Sequence, residues 1–186
     1  MKKAPALVLV LLLALAAAAG CGSSAREYAR EARSSYISAR AVLVGVEKFP
    51  SQMEELLRST GISAVEEDAD ALIDEARDLL PTASSAFLSA KQAAELLGAE
   101  DSEKFNPYAD RLLQLCGLNE QLISAYSEFI AASSSVLQGL PYAEDPTALM
   151  PTLDYLDELS RGIQELGASI EVLEEETEAL YRQITR

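Results

Sequence analysis

Apolar residues recur along most of the chain at alternating steps of three and four, the spacing of helices packed along a shared axis. The first stripe reads Ala25, Tyr28, Ala32, Ala39, Val42, Val46 and Phe49, and continues in phase beyond Pro50 through Met53 and Leu56. A second runs from Ile62 through Ala69 and Leu79, then past Pro81 to Ala90 and Leu97. The third extends from Phe105 to Leu140 and the fourth from Leu156 to Ile184. Sustained alternation of apolar and polar residues, the mark of a half-buried strand, is missing. The pattern predicts four helices and no sheet.

Local punctuation divides the stripes in the same places. Gly61 and Gly98 stand where helix C-caps are expected, and Ser63 with Glu66 has the spacing of a capping box. Asp101 or Ser102 offers an N-cap ahead of Pro107, which falls in the first helical turn. Gly139-Leu140-Pro141 closes the third segment, and Asp145-Pro146 opens the fourth. Short connections force consecutive helices to run antiparallel. The expected fold is therefore all-α: an up-down-up-down four-helix bundle with coiled-coil-like seams. Its helices should cover about residues 24–59, 62–97, 103–139 and 147–185. At Pro50 a break is expected, because Ser51 and Glu54 form a fresh capping box. At Pro81 the uninterrupted phase predicts a continuous, kinked helix.

Charge and residue usage narrow the chemistry. The sequence contains no histidine, which removes Ser-His-Asp triads, His-ligated zinc and imidazole general bases. Gly-rich phosphate loops are absent as well. No catalytic residue, cofactor or metal site is therefore expected. With 15 basic and 30 acidic side chains, the chain carries a net charge of −15. Such a surface disfavours nucleic acid, whose phosphates need a basic partner. About half of all residues are apolar, enough for a real core.

The first 21 residues have a different character. Met1-Lys2-Lys3 is followed by an apolar, Ala-rich run from Ala4 to Ala19, too short for a stable span of ~20 strongly apolar residues. The head, middle and small-residue end have the form of an export signal. Ala18-Ala19-Gly20-Cys21 resembles the lipobox of bacterial lipoproteins. That resemblance covers the leader alone. It implies cleavage between Gly20 and Cys21, acylation of Cys21 (palmitate among the chains), and an extracytoplasmic protein held at a bacterial membrane by its N-terminal lipid. It divides the chain into a signal peptide at 1–20, a tether at 21–24 and a bundle domain at 25–186. Without the leader, 13 basic and 30 acidic side chains remain, a net charge of −17. With Cys21 acylated, Cys116 has no internal disulfide partner. Its position beside Leu115 reads as a small apolar core residue.

Four further features bear on function. Asn119 and Ser133 interrupt the third apolar stripe, as register-fixing polar residues do. With Tyr108 and Tyr126 they also define a candidate small-molecule pocket. Acidic clusters at 66–75 and 171–178 read as solvated helix faces, since no glycine turn gathers their carboxylates around a cation. Arg26, Arg30, Arg33 and Arg40 make the stretch after the tether net positive, and such residues are attracted to anionic headgroups. The expected function is a non-catalytic binding or scaffolding module with an envelope protein partner. The alternative is a small-molecule-sensing bundle working with a separate membrane protein, a reading that rests on fold-level similarity to extracytoplasmic four-helix sensor domains.

Overall fold

Five helices build four arms in the computed structural model, which describes residues 25–60, 66–100, 102–139, 147 and 150–185, and their side chains except 57–60 and 66–67. Arm one consists of α1 (Ala25–Glu47) and α2 (Phe49–Thr60). Arms two, three and four are α3 (Glu66–Ala99), α4 (Asn106–Gly139) and α5 (Met150–Thr185). Consecutive arms pack side by side, giving the expected antiparallel four-helix bundle. No strand occurs among the described residues.

Arm one is interrupted only at Lys48. Pro50 falls in the first turn of α2, where a missing N–H is best tolerated, and the Gln52 N–H still donates to the Lys48 carbonyl at 3.0 Å. The expected capping role of Ser51 is corrected. Its Oγ donates to the Lys48 carbonyl at 2.9 Å, so it sits inside the helix instead of preceding it. Arm two passes through Pro81 unbroken. Pro81 lies on the exposed side, so the carbonyl it deprives of a helical donor is open to water.

Helix ends differ by a few residues from the sequence reading. Gly98 lies inside the last turn of α3, which continues to Ala99. The helix of arm three begins at Asn106, after a turn in which the Ser102 carbonyl accepts from the Phe105 and Asn106 N–H groups. That of arm four begins at Met150. Gly20, Cys21, Gly61, Ser63, Asp101 and the Leu140–Pro146 connection lie outside the described residues.

Burial reveals a wider stripe than the sequence seam. In arm one the buried line includes Ala29, Tyr36 and Leu43, each four residues beyond an Ala of the predicted seam. Arm two repeats this with Ile73, Phe87 and Ala94. Small Ala residues at one seam position thus alternate with bulky groups at the next, and the two arms meet closely. At Gly45 even a methyl group would come within 2.8 Å of Leu79 Cδ1. Tyr36 and Phe87 pack edge to face across this interface at 5.8 Å, a favourable aromatic geometry. Arm three is the central floor, burying Tyr108, Leu112, Leu115, Cys116, Asn119, Leu122 and Ile130. Arm four buries only Ile170, Thr177 and Ile184 fully.

Candidate functional site

That shallow burial of arm four follows from where its neighbours lie. It packs along arm three but touches arm one mainly through long polar side chains. Between arms one and four, above arm three, a groove runs along the bundle as a series of cavities. The first, about 260 Å³, is lined by Arg33, Tyr36, Arg40, Tyr108, Glu174 and Glu178 among others. The second, about 480 Å³, shares Arg40 and Glu174 with it and adds Glu47, Tyr126, Gln164 and Glu171. The third, about 250 Å³, is almost wholly apolar, with Pro50, Met53, Phe129, Val136 and Leu153 on its walls and Ser133 and Glu54 as its polar members.

Two clasps cross the first part of the groove. Arg33 grips Glu178 with two hydrogen bonds, Nε to Oε2 at 2.9 Å and Nη2 to Oε1 at 3.2 Å. Its guanidinium also lies 4.9 Å from the centre of the Tyr181 ring, in cation–π geometry. Arg40 donates from Nε to Glu174 at 3.0 Å and from Nη1 to Glu47 at 2.6 Å. The Glu178 bond pushes the Arg33 pKa up. For Arg40, burial opposes the charged form, but the Glu47 bond and the charges of Glu47 and Glu174 outweigh it and raise the pKa.

Beneath the second clasp is a buried polar chain. Tyr36 Oη donates to Glu174 at 2.7 Å and accepts from Asn119 Nδ2 at 3.1 Å. Asn119 Nδ2 also donates to the Leu115 carbonyl at 2.8 Å, and its Oδ1 lies 3.5 Å from Arg40 Nη1. Burial and the neighbouring Glu174 carboxylate raise the Tyr36 pKa. The phenol therefore stays protonated and serves as a donor.

The four pocket candidates do not converge. Tyr108 lines the first cavity, Tyr126 the second and Ser133 the third, while Asn119 is fully buried in the polar chain. Ser133 Oγ is turned back onto the Phe129 carbonyl at 2.8 Å. The cause is helical spacing: residues seven apart lie about 10 Å apart along one helix. The arginines divide as well. Arg26 and Arg30 are exposed, whereas Arg33 and Arg40 turn inward to the clasps, where their charges are engaged by acids of the chain itself. Their partners Glu174 and Glu178, expected on a solvated face, are half-buried here. Glu171 and Glu175 are exposed, and Glu176 pairs with Arg111 at 3.4 Å.

Sequence reasoning missed Tyr36 and Tyr181. Both sit one step outside a strict three-four seam, and only their spacing of four from Ala32 and Thr177 could have signalled them. Cys116 is fully buried, and burial pushes its thiol up to about 12. Among the described residues no group of three or more His, Cys, Asp or Glu side chains is placed to hold a metal, and no helix is long and apolar enough to cross a membrane. The chain matches no protein-family model, no curated protein and no solved structure.

Proposed function

We propose that this protein is a lipid-anchored, extracytoplasmic helical module that binds an envelope protein partner and performs no catalysis of its own. The anchoring half rests on the leader, whose Gly20-Cys21 junction leaves three residues between the acylated cysteine and α1. The binding half is carried by one observation: the edge between arms one and four is crossed by ion pairs and lined by cavities instead of being packed shut. A groove of this kind accepts side chains of a partner, and helix-in-groove recognition uses such apolar clefts. Dispersal of Tyr108, Asn119, Tyr126 and Ser133 among separate surroundings favours a partner over one small ligand. Exposed Arg26 and Arg30, at the end nearest the tether, suit the headgroup layer.

The deciding experiment compares wild type with Cys21→Ser by intact mass and metabolic fatty-acid labelling. Loss of label with release into medium or periplasm supports the anchor. Membrane retention unchanged by the substitution overturns it.

A further inference from the structure

Three hydroxyl-bearing side chains line the first cavity, the one of about 260 Å³ beneath the clasps, and two of their hydroxyls are already engaged. Tyr36 Oη donates to Glu174 and accepts from Asn119. Thr177 Oγ1 donates to the Leu173 carbonyl at 2.6 Å. Tyr108 is only 1% exposed, yet no hydrogen bond reaches its hydroxyl from any described residue. The charges of Arg33 and Glu178 act on that oxygen, and both residues stand with it on the cavity wall, so the hydroxyl end of the ring faces the cavity. A buried polar group without a partner calls for a physical account. Along arm three, Leu112 and Leu115 follow Tyr108 on the same helical face and extend from it an apolar floor about 10 Å long. The charged groups on the wall are spoken for. Arg33 is held by Glu178 through two hydrogen bonds, and Arg40 is shared between Glu174 and Glu47.

We propose that this cavity binds a small neutral molecule with one hydroxyl group on an apolar body, the hydroxyl pairing with Tyr108 Oη and the body lying on Leu112 and Leu115. The pairing of the wall charges decides against a charged ligand. An anion would have to take Arg33 or Arg40 from its carboxylate, and a cation would have to take Glu174 or Glu178 from its arginine. Either would carry an unmatched charge into a half-buried site. A wholly apolar ligand would leave the Tyr108 hydroxyl without a partner. Size sets the scale of the molecule: an apolar cavity of about 150 Å³ holds benzene, so about 260 Å³ admits a ring with a short substituent. The walls belong to arms one, three and four, and occupancy therefore stabilises their closed arrangement. Of Tyr108, Asn119, Tyr126 and Ser133, this ligand meets Tyr108 alone, so the inference goes beyond the partner reading without replacing it.

The test uses the full chain carrying Cys21→Ser, so that no lipid phase takes up the probes, with its leucine methyl groups labelled for NMR. Phenol is the probe, toluene its near-isostere without the hydroxyl, and benzoate and benzylammonium its charged counterparts. Phenol at about 10 mM or below should shift the Leu112 and Leu115 methyl signals saturably and raise the melting temperature. Tyr108→Phe keeps the ring that packs on Tyr181 at 5.5 Å and removes only the hydroxyl. It should weaken phenol by about tenfold and leave toluene within about twofold. Each charged probe should bind about tenfold more weakly than phenol, or less. Phenol affinity unchanged by Tyr108→Phe overturns the proposal, as does an equal loss of phenol and toluene in that variant. On the unsubstituted site, tighter binding of either ion overturns it too. So does the absence of saturable shifts, or shifts confined to Leu153 and Leu156, which line the third cavity. These last outcomes need no variant to fold, and none of them touches the envelope-partner reading.

Discussion

Replacing Arg40 by methionine should destabilise the bundle more than the same change at Arg33, although both arginines clasp arm four. Arg40 Nε and Nη1 hold two different carboxylates, Glu174 and Glu47. The Arg40 side chain is 23% exposed and its partners 35% and 27%. Methionine keeps the apolar stem but leaves two half-buried carboxylates without their shared cation. Hydrogen bonds to charged groups contribute about 1.5–3 kcal/mol each, and partial access of water reduces the sum, so a loss of roughly 2–3 kcal/mol is expected. Arg33 and Glu178 are each more than one third exposed, at 37% and 34%. Glu178 also keeps Arg182 at 3.4 Å when Arg33 is removed. Solvent screening then limits the Arg33→Met loss to about 1 kcal/mol or less.

Urea unfolding followed by far-ultraviolet circular dichroism measures both changes, provided the slope with denaturant stays constant. A double-mutant cycle of Arg40→Met with Glu174→Gln isolates the clasp, because glutamine retains an acceptor for Tyr36 Oη. A coupling of about 1 kcal/mol or more is expected for residues in one network. Added salt should erode the Arg33 effect more than the Arg40 effect. Equal losses at the two arginines, or strict additivity in the cycle, would refute the assignment of arm closure to Arg40.

Pro81→Ala should raise the urea midpoint, because alanine restores the helical N–H and relieves the crowding that costs ~3 kcal/mol in a helix interior; a lowered midpoint would mean that arm two needs the proline. Gly45→Ala should be nearly neutral, its gain of ~1 kcal/mol in helix propensity offset by movement of the Leu79 methyl. Gly45→Leu, by contrast, should destabilise by about 1–3 kcal/mol through overpacking, and an unchanged midpoint would contradict the close approach of arms one and two. The Cys116 thiol should resist aromatic disulfide reagents at neutral pH until the protein unfolds; rapid native-state labelling would contradict its burial. Burial raises the Cys116 thiol from 9.0 to about 12 and Tyr126 from 10.0 to about 12, and it raises Tyr36 and Tyr108 as well. Native protein therefore holds these protons to higher pH than the unfolded chain does. Their stabilisation is complete below about pH 9 and is lost as pH rises toward 12, at roughly 1.4 kcal/mol per unit for each group, which urea midpoints across that range would follow.

The bundle was legible in the sequence because its signal is repeated: four stripes, each several heptads long, leave little choice of fold class. The strict seam nevertheless read each helix as narrower than it is. A helix wedged between two neighbours buries a third position per heptad, and that extra line carries Tyr36, Leu43, Phe87 and Ile130. Pairing between arms was harder to read, since a lone sequence does not say which arginine meets which acid. Arg33 and Arg40 looked like a basic patch near a membrane, and Glu174 and Glu178 like a solvated face, until the antiparallel register set them opposite one another. Helical spacing explains why the pocket candidates failed to converge: they lie on one helix, seven to eleven residues apart, so Tyr108, Tyr126 and Ser133 line different cavities while Asn119 is buried. Sequence reading finds the stripe along a helix, but a site between helices depends on the sum of two positions. Here that sum turns two arginines of an ordinary basic run, Arg33 and Arg40, into clasps that reach Glu178 and Glu174 on arm four.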